Sequence, residues 1–202
     1  LILPAAMDMH VHFRDPGYTH KEDWKTGSES AACGGVTAVV DMPNTNPFTS
    51  DYSQFKEKER IAKQKSVVDF GIGINVEENL TEQDWFEKVP AAFWKLYPYG
   101  ISSKDYFRLA QEVLGKTKKP LVVHCEHPDY MHNNPLEKLS DHTENRLIAE
   151  EKCLSEMPPS KYLHVAHLST SNGLRNLPSH SSTEVCPHHL LLNLDNCSSL
   201  DC

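Results

Sequence analysis

No stretch of this sequence approaches the roughly 20 consecutive apolar residues that a membrane-spanning helix requires. Apolar stretches such as Leu121 to Val123 and Leu190 to Leu192 are far shorter, and Leu1 to Met7 lacks the basic flank of a signal peptide, so no membrane association is expected. No Lys/Arg block interleaves with aromatics, and 20 basic residues face 28 acidic ones for a formal charge of −8, which argues against nucleic acid as a partner. The six cysteines form no CxxC pair, and 202 residues can bury a core without disulfides, so reduced thiols and a cytoplasmic location are expected. There is no low-complexity segment and no solenoid repeat. What is abundant is histidine, with 12 residues, several of them clustered, and histidine is the commonest transition-metal ligand.

Short runs rich in Val and Ile alternate with longer amphipathic stretches, the pattern of βα units around a parallel sheet. Seven strands are predicted, at Leu3–Val11, Val36–Met42, Val67–Val76, Ala92–Tyr97, Pro120–Cys125, Lys161–His167 and Thr183–Pro187. Helices are predicted over Lys21–Cys33 (stopped by Gly34-Gly35), Asp51–Lys65, Ser103–Leu114 (ended by Gly115) and Thr143–Leu154. Thr81 and Asp84 suggest a capping box before Trp85 and Phe86, and Gly173–Leu177 is a weak helical stretch. The fold class is therefore α/β, a (β/α)8 TIM-type barrel with about seven of its eight strands present.

The densest cluster of chemistry runs from Asp8 to Gly17. On an extended strand alternate side chains share a face, so His10 and His12 point the same way and can grip one ion. Taken alone, such a pair is more often two surface or hydrogen-bonded histidines. In a barrel, strand C-terminal ends build the active site, and His124, His164 and His167 are predicted at the same rim, where repulsion between protonated rings disfavours a purely structural cluster. Lys95 sits in the apolar run Phe93 to Tyr97. Either it snorkels to the rim and pairs with a carboxylate, or its neutral amine captures carbon dioxide as a carbamate that offers oxygens to two metals.

The strings HFRDPG around Arg14, KEDWKTGS from Lys21, GGVT from Gly34, DMPNT around Asn44, WKLY around Lys95, HCE at His124, HVAHLST around His167 and EVCPHHL from Glu184 occur in order along the chain. In this the sequence resembles the dihydroorotases, a cyclic amidohydrolase branch of the amidohydrolase superfamily. The resemblance implies zinc-dependent, reversible cyclisation of N-carbamoyl-L-aspartate to L-dihydroorotate in de novo pyrimidine biosynthesis. It implies two Zn2+ ions per site, one on His10 and His12 and the other on His124 and His167, bridged by carboxylated Lys95. His164 would then give outer support, Glu184 would at best do the same, and His188 and His189 would be structural. Arg14 and Asn44 resemble the residues that hold the substrate's free carboxylate, a task that suits a guanidinium fork beside an amide. Read without the family, Arg14 would pair with Asp15 and Asn44 would form an Asx turn before Pro47.

In the family an aspartate of the eighth strand moves the proton, and that string is not found here. Asp195 and Asp201 follow the seventh strand without strand context, so the general acid/base is left unassigned. The small β-domain that usually precedes the barrel is not found either, and residues 1–202 are read as a single incomplete barrel domain that alone is expected to be inactive. Two other readings stand beside the enzyme: a non-catalytic dihydroorotase-like scaffold, and a hydantoinase- or allantoinase-like enzyme for another cyclic amide. The expected partners are a small-molecule substrate, further copies of the chain in a homo-oligomer and, more weakly, other pyrimidine-pathway enzymes.

Overall fold

The computed structural model describes residues 3–131 and 139–192, with side chains from residue 146 onward in the second stretch. Asp195, Asp201, Cys197 and Cys202 lie outside the described residues. The described chain forms two compact units, 1–95 and 96–202.

In the first unit, strands β1 (Ala6–Val11), β2 (Val36–Asp41), β3 (Asp69–Asn75) and β4 (Phe93–Leu96, whose last residue belongs to the second unit) run parallel in chain order. Helices α1 (Trp24–Cys33) and α2 (Tyr52–Lys65) cross between them. The Asp23 side chain accepts the backbone N–H groups of Lys25 and Thr26 and so opens α1, while Gly35 at φ +83° ends it. Asp51 and Gln54 cap α2 reciprocally. Trp24, Val39, Phe55, Ile74 and Trp94 are almost wholly buried, and each contributes about 1.5–3 kcal/mol of apolar burial.

The second unit pairs β5 (Leu121–Val123), β6 (Leu163–Val165) and β7 (Ser182–Thr183) in parallel. Helix α3 (Ser103–Lys116) precedes β5, α4 (Leu139–Glu156) and α5 (Ser171–Arg175) connect the three strands, and α6 (Pro187–Leu191) follows β7. Tyr106, Leu109 and Val113 of α3 bury one face, and Cys153 and Leu154 of α4 are buried with Leu121, Leu163 and Val165.

All seven predicted strands are present in the parallel βα pattern of the barrel class, six of them shorter than expected and the seventh shifted to Ser182–Thr183, which shares only Thr183 with its expected span. Three local expectations are corrected. Thr81 and Asp84 cap no α-helix, for the segment makes only a 3-10 turn at Leu80–Glu82 followed by turns. Pro90 disfavours helical backbone at Val89, and β4 begins three residues later. Gly115 does not end α3, which runs through it to Lys116, with Thr117 as an extended cap whose N–H reaches Val113 O. The last strand stops at Thr183, because Pro187 already opens α6. Among the described residues Cys33, Cys125, Cys153 and Cys186 form no disulfide.

Candidate metal and substrate site

In the first unit the site grows from the end of β1. His10 and His12 face the same way, as strand alternation requires, with their Nε2 atoms 3.1 Å apart. Two nitrogen ligands of one tetrahedral ion stand about 3.3 Å apart when each bond is about 2.05 Å, so the pair fits a shared zinc-sized ion. His12 Nδ1 donates to Asn44 Oδ1 at 2.7 Å. That bond fixes the tautomer and leaves the Nε2 lone pair for a metal, as an outer partner does in histidine metal sites. Burial, foremost, with smaller contributions from His10, Arg14 and Lys95, lowers the His12 pKa to about 4, keeping it neutral and able to ligate at neutral pH.

Arg14 follows in left-handed backbone at φ +61°, and its guanidinium reaches Asn44 O at 3.4 Å. The loops carrying these two residues interlock, for Asn46 N donates to Pro16 O, and a Cβ at Gly17 (φ +97°) would stand 2.2 Å from Asn46 O. Phe13, between His12 and Arg14, packs its ring where a Cβ on Gly27 of α1 would fall, 2.4 Å from the ring edge. Lys95 is 1% exposed and near enough to His12 to help depress it, so its burial agrees with the sequence reading. The Asn44 role is richer than expected, because its amide oxygen serves His12 and its NH2 is the group left to donate to a ligand. Asp15 is buried and pairs with Lys65 at 2.6 Å, the partner that sequence alone did not offer.

The second unit brings His124 and His167 together from just beyond the ends of β5 and β6, their ring centroids 4.5 Å apart and their planes inclined at 68°. His124 Nε2 lies 3.1 Å from Tyr99 Oη and 3.4 Å from Glu126 Oε2, and Arg146 holds the other oxygen of Glu126 at 3.0 Å. Imidazole edges beside a carboxylate suit a cation. Burial raises the Tyr99 pKa, with Glu126 adding to it, so its hydroxyl stays protonated. His167 has a left-handed backbone at φ +39°, and Glu150 of α4 accepts the backbone N–H groups two and three residues further on, from Ser169 and Thr170, and the Thr170 hydroxyl. His164 turns to β7, with Nδ1 2.8 Å from Ser182 Oγ and Nε2 3.3 Å from Glu184 Oε2.

Cys186, His188 and His189 bring ligand-type atoms within 4.8 Å of one another, but His189 Nδ1 accepts the Cys186 backbone N–H, which agrees with a structural use. Sequence reasoning did not single out Asp41, Lys58, Tyr99, Glu126 or Glu150. Lys58 and Glu150 lie on charged helices and read as solvent-facing, whereas Asp41, at a strand end within the DMPNT string, and Glu126, two residues after His124, offered a positional signal. No described helix is long and apolar enough to cross a membrane.

Residues 1–158 match the amidohydrolase family model. The dihydroorotase of Methanosphaera stadtmanae is 36% identical over 213 aligned residues, covering 96% of this chain and 49% of that protein. The dihydroorotase of Methanosarcina acetivorans is 54% identical over 80 residues, 40% of this chain and 17% of that protein. Among solved structures, L-hydantoinase from Arthrobacter aurescens superposes with a TM-score of 0.82 at 23% identity, covering 95% of this chain and 49% of that one. A dihydroorotase from Campylobacter jejuni gives 0.64 at 18% identity over 94% of this chain and 55% of that one. At such identities the structural likeness shows the barrel fold alone. The chain spans about half the length of the curated relatives it matches.

Proposed function

The chain belongs to the amidohydrolase family, and from that premise we propose that it carries the metal- and carboxylate-binding residues of a zinc-dependent dihydroorotase. The observation that carries this reading is the linked set His10, His12, Asn44 and Arg14, in which one amide locks a metal-ready histidine and lies beside a guanidinium. Relatives named dihydroorotase at 36% and 35% identity along nearly the whole chain support the choice of reaction.

In this proposal His10 and His12 would hold one Zn2+ and His124 and His167 another, with Lys95, as its carbamate, a further oxygen ligand. Bound zinc would supply Lewis-acid polarisation of the ring amide and an activated water. The protein's own groups do the rest. Arg14 and the Asn44 NH2 hold the free carboxylate of carbamoyl aspartate and place the reacting amide. Asn44 Oδ1 keeps His12 in the ligating tautomer, and the closed packing around Lys95 excludes water from its amine. Proton transfer is assigned to no described residue. The single-domain reading of residues 1–202, a cytoplasmic site of action, a role in pyrimidine synthesis and a homo-oligomeric state belong to the same proposal.

The test is zinc content and cyclisation of carbamoyl aspartate by the full-length protein. Two zinc ions per chain and turnover are expected; a protein that binds no zinc and cyclises nothing when zinc is supplied is instead a scaffold. Arg14→Ala is expected to raise KM for dihydroorotate about a hundredfold, as loss of a charge-assisted fork implies. Unchanged turnover of dihydroorotate would move the assignment toward a hydantoinase-like substrate.

A further inference from the structure

Beneath the β1 end lies a pair of charges that no reacting group requires. Asp41, the last residue of β2, and Lys58, in the middle of α2, are both 0% exposed, with Lys58 Nζ 2.6 Å from Asp41 Oδ2. Lys58 also donates to Met42 O at 2.7 Å. The second carboxylate oxygen, Asp41 Oδ1, accepts the Phe13 backbone N–H at 2.7 Å. Phe13 is the residue between His12 and Arg14. Seven residues after Lys58, on the same face of α2, Lys65 pairs with Asp15 at the other end of the same loop. Helix α2 therefore presents two lysines, two turns apart, one to Asp41, which holds the Phe13 N–H, and one to Asp15 at the far end of the loop from Phe13 to Asp15.

A buried ion pair is poor value for stability, since apolar groups of similar shape often serve as well or better. Its advantage is direction: with one carboxylate oxygen on the lysine, the other is placed at the reach of one specific N–H. Arg14 needs such control, because its left-handed backbone is disfavoured in an L-residue and persists only where neighbours determine it.

We propose that Asp41, held by Lys58, is a positioning residue that fixes the Phe13 peptide and through it aims Arg14 at the substrate carboxylate and His12 at its metal. The proposal rests on the dihydroorotase reading, and the unmodified full-length protein separates the two: if it neither binds zinc nor turns over dihydroorotate, that reading fails first.

Two variants test the positioning. Asp41→Glu keeps the charge and the partner but displaces the acceptor by one methylene. Asp41→Asn combined with Lys58→Met removes both charges but keeps an acceptor at the right reach. Expected are a KM raised about tenfold and a zinc affinity lowered about tenfold in the Glu variant, against changes within about threefold in the Asn/Met pair. A role in stability alone would move unfolding midpoints and leave KM and zinc affinity of both folded proteins unchanged, and that result overturns the proposal. So does an Asn/Met pair that folds but loses as much as the Glu variant, or a failure of both to fold. A Glu variant that fails to fold beside an intact Asn/Met pair supports the requirement for reach over charge.

Discussion

The two units hold their histidine pairs in opposite ways. In the first, His10 and His12 come from one strand, two residues apart, and the loop that follows is fixed by an ion pair buried to 0% exposure. In the second, His124 and His167 are brought together by the pairing of β5 with β6, and the loop after His167 is fixed by Glu150, which collects three donors with no lysine or arginine among them. One arrangement matches a charge with a charge, the other disperses a carboxylate over neutral donors. The difference predicts that the first clamp depends on its cation and fails abruptly without it, whereas the second degrades by single bonds.

The sharpest way to break that comparison is Lys58→Met alone. It leaves the Asp41 carboxylate buried with the Phe13 N–H as its remaining bond, and is expected to destabilise by about 3–5 kcal/mol in urea unfolding. Burial pushes the Asp41 carboxyl up and the Lys58 ammonium down, and each holds the other charged only while both are present. Adding Asp41→Asn to Lys58→Met is expected to restore most of the loss. If the double variant is as unstable as the single one, packing and not charge matching governs the first clamp.

Next in size is the pH response at His12. Burial lowers its pKa from 6.5 to about 4, so the folded chain binds fewer protons there than the unfolded chain. Its contribution to stability is therefore complete above pH 6.5 and is lost as pH falls toward 4, by at most about 3 kcal/mol. Denaturant midpoints of the metal-free protein at pH 7 and pH 4, compared with His12→Gln, measure it. An equal decline in both proteins would place the titration elsewhere.

Glu150→Gln probes the second clamp. Gln offers one carbonyl oxygen and turns an NH2 toward the Ser169 or Thr170 N–H, so one buried donor loses its acceptor, at about 1–3 kcal/mol. The loss should stay below that of Lys58→Met. A larger loss would show that the dispersed carboxylate is the more demanding device, reversing the comparison.

The same contrast explains what could be read from the sequence. The strands were legible because β2, β5 and β6 are short Val- and Leu-rich runs, and His10 with His12 because a two-residue period on a strand is a local rule. His124 and His167 were placed by their positions at strand ends, and their ring contact depends on register between segments more than 40 residues apart. Lys58 and Glu150 were illegible for a different reason. Each lies in a helix full of charges, where nothing in the periodicity marks a charged residue that turns inward. The Asn44 bond to His12 is equally invisible, since it depends on two loops meeting through Gly17 and Asn46.

The smallest expected effects lie at the helix starts that support these clamps. Asp51 caps α2 through Gln54 N at 2.8 Å, and the Gln54 side chain returns to the Asp51 and Ser50 N–H groups. Ser102 caps α3 through Asp105 N at 3.1 Å. Either residue replaced by Ala should cost about 1 kcal/mol, with Asp51 the larger because its charge also faces the positive end of a helix. Fraying of α2 is confined to its first turn, whereas Lys58 lies in the second and Lys65 at the far end. Asp51→Ala should therefore lower the unfolding midpoint and leave KM for dihydroorotate as it was. If KM rises with Asp51→Ala and not with Ser102→Ala, the grip on the loop from Phe13 to Asp15 extends along the whole of α2, and the first clamp is the helix itself rather than two of its lysines.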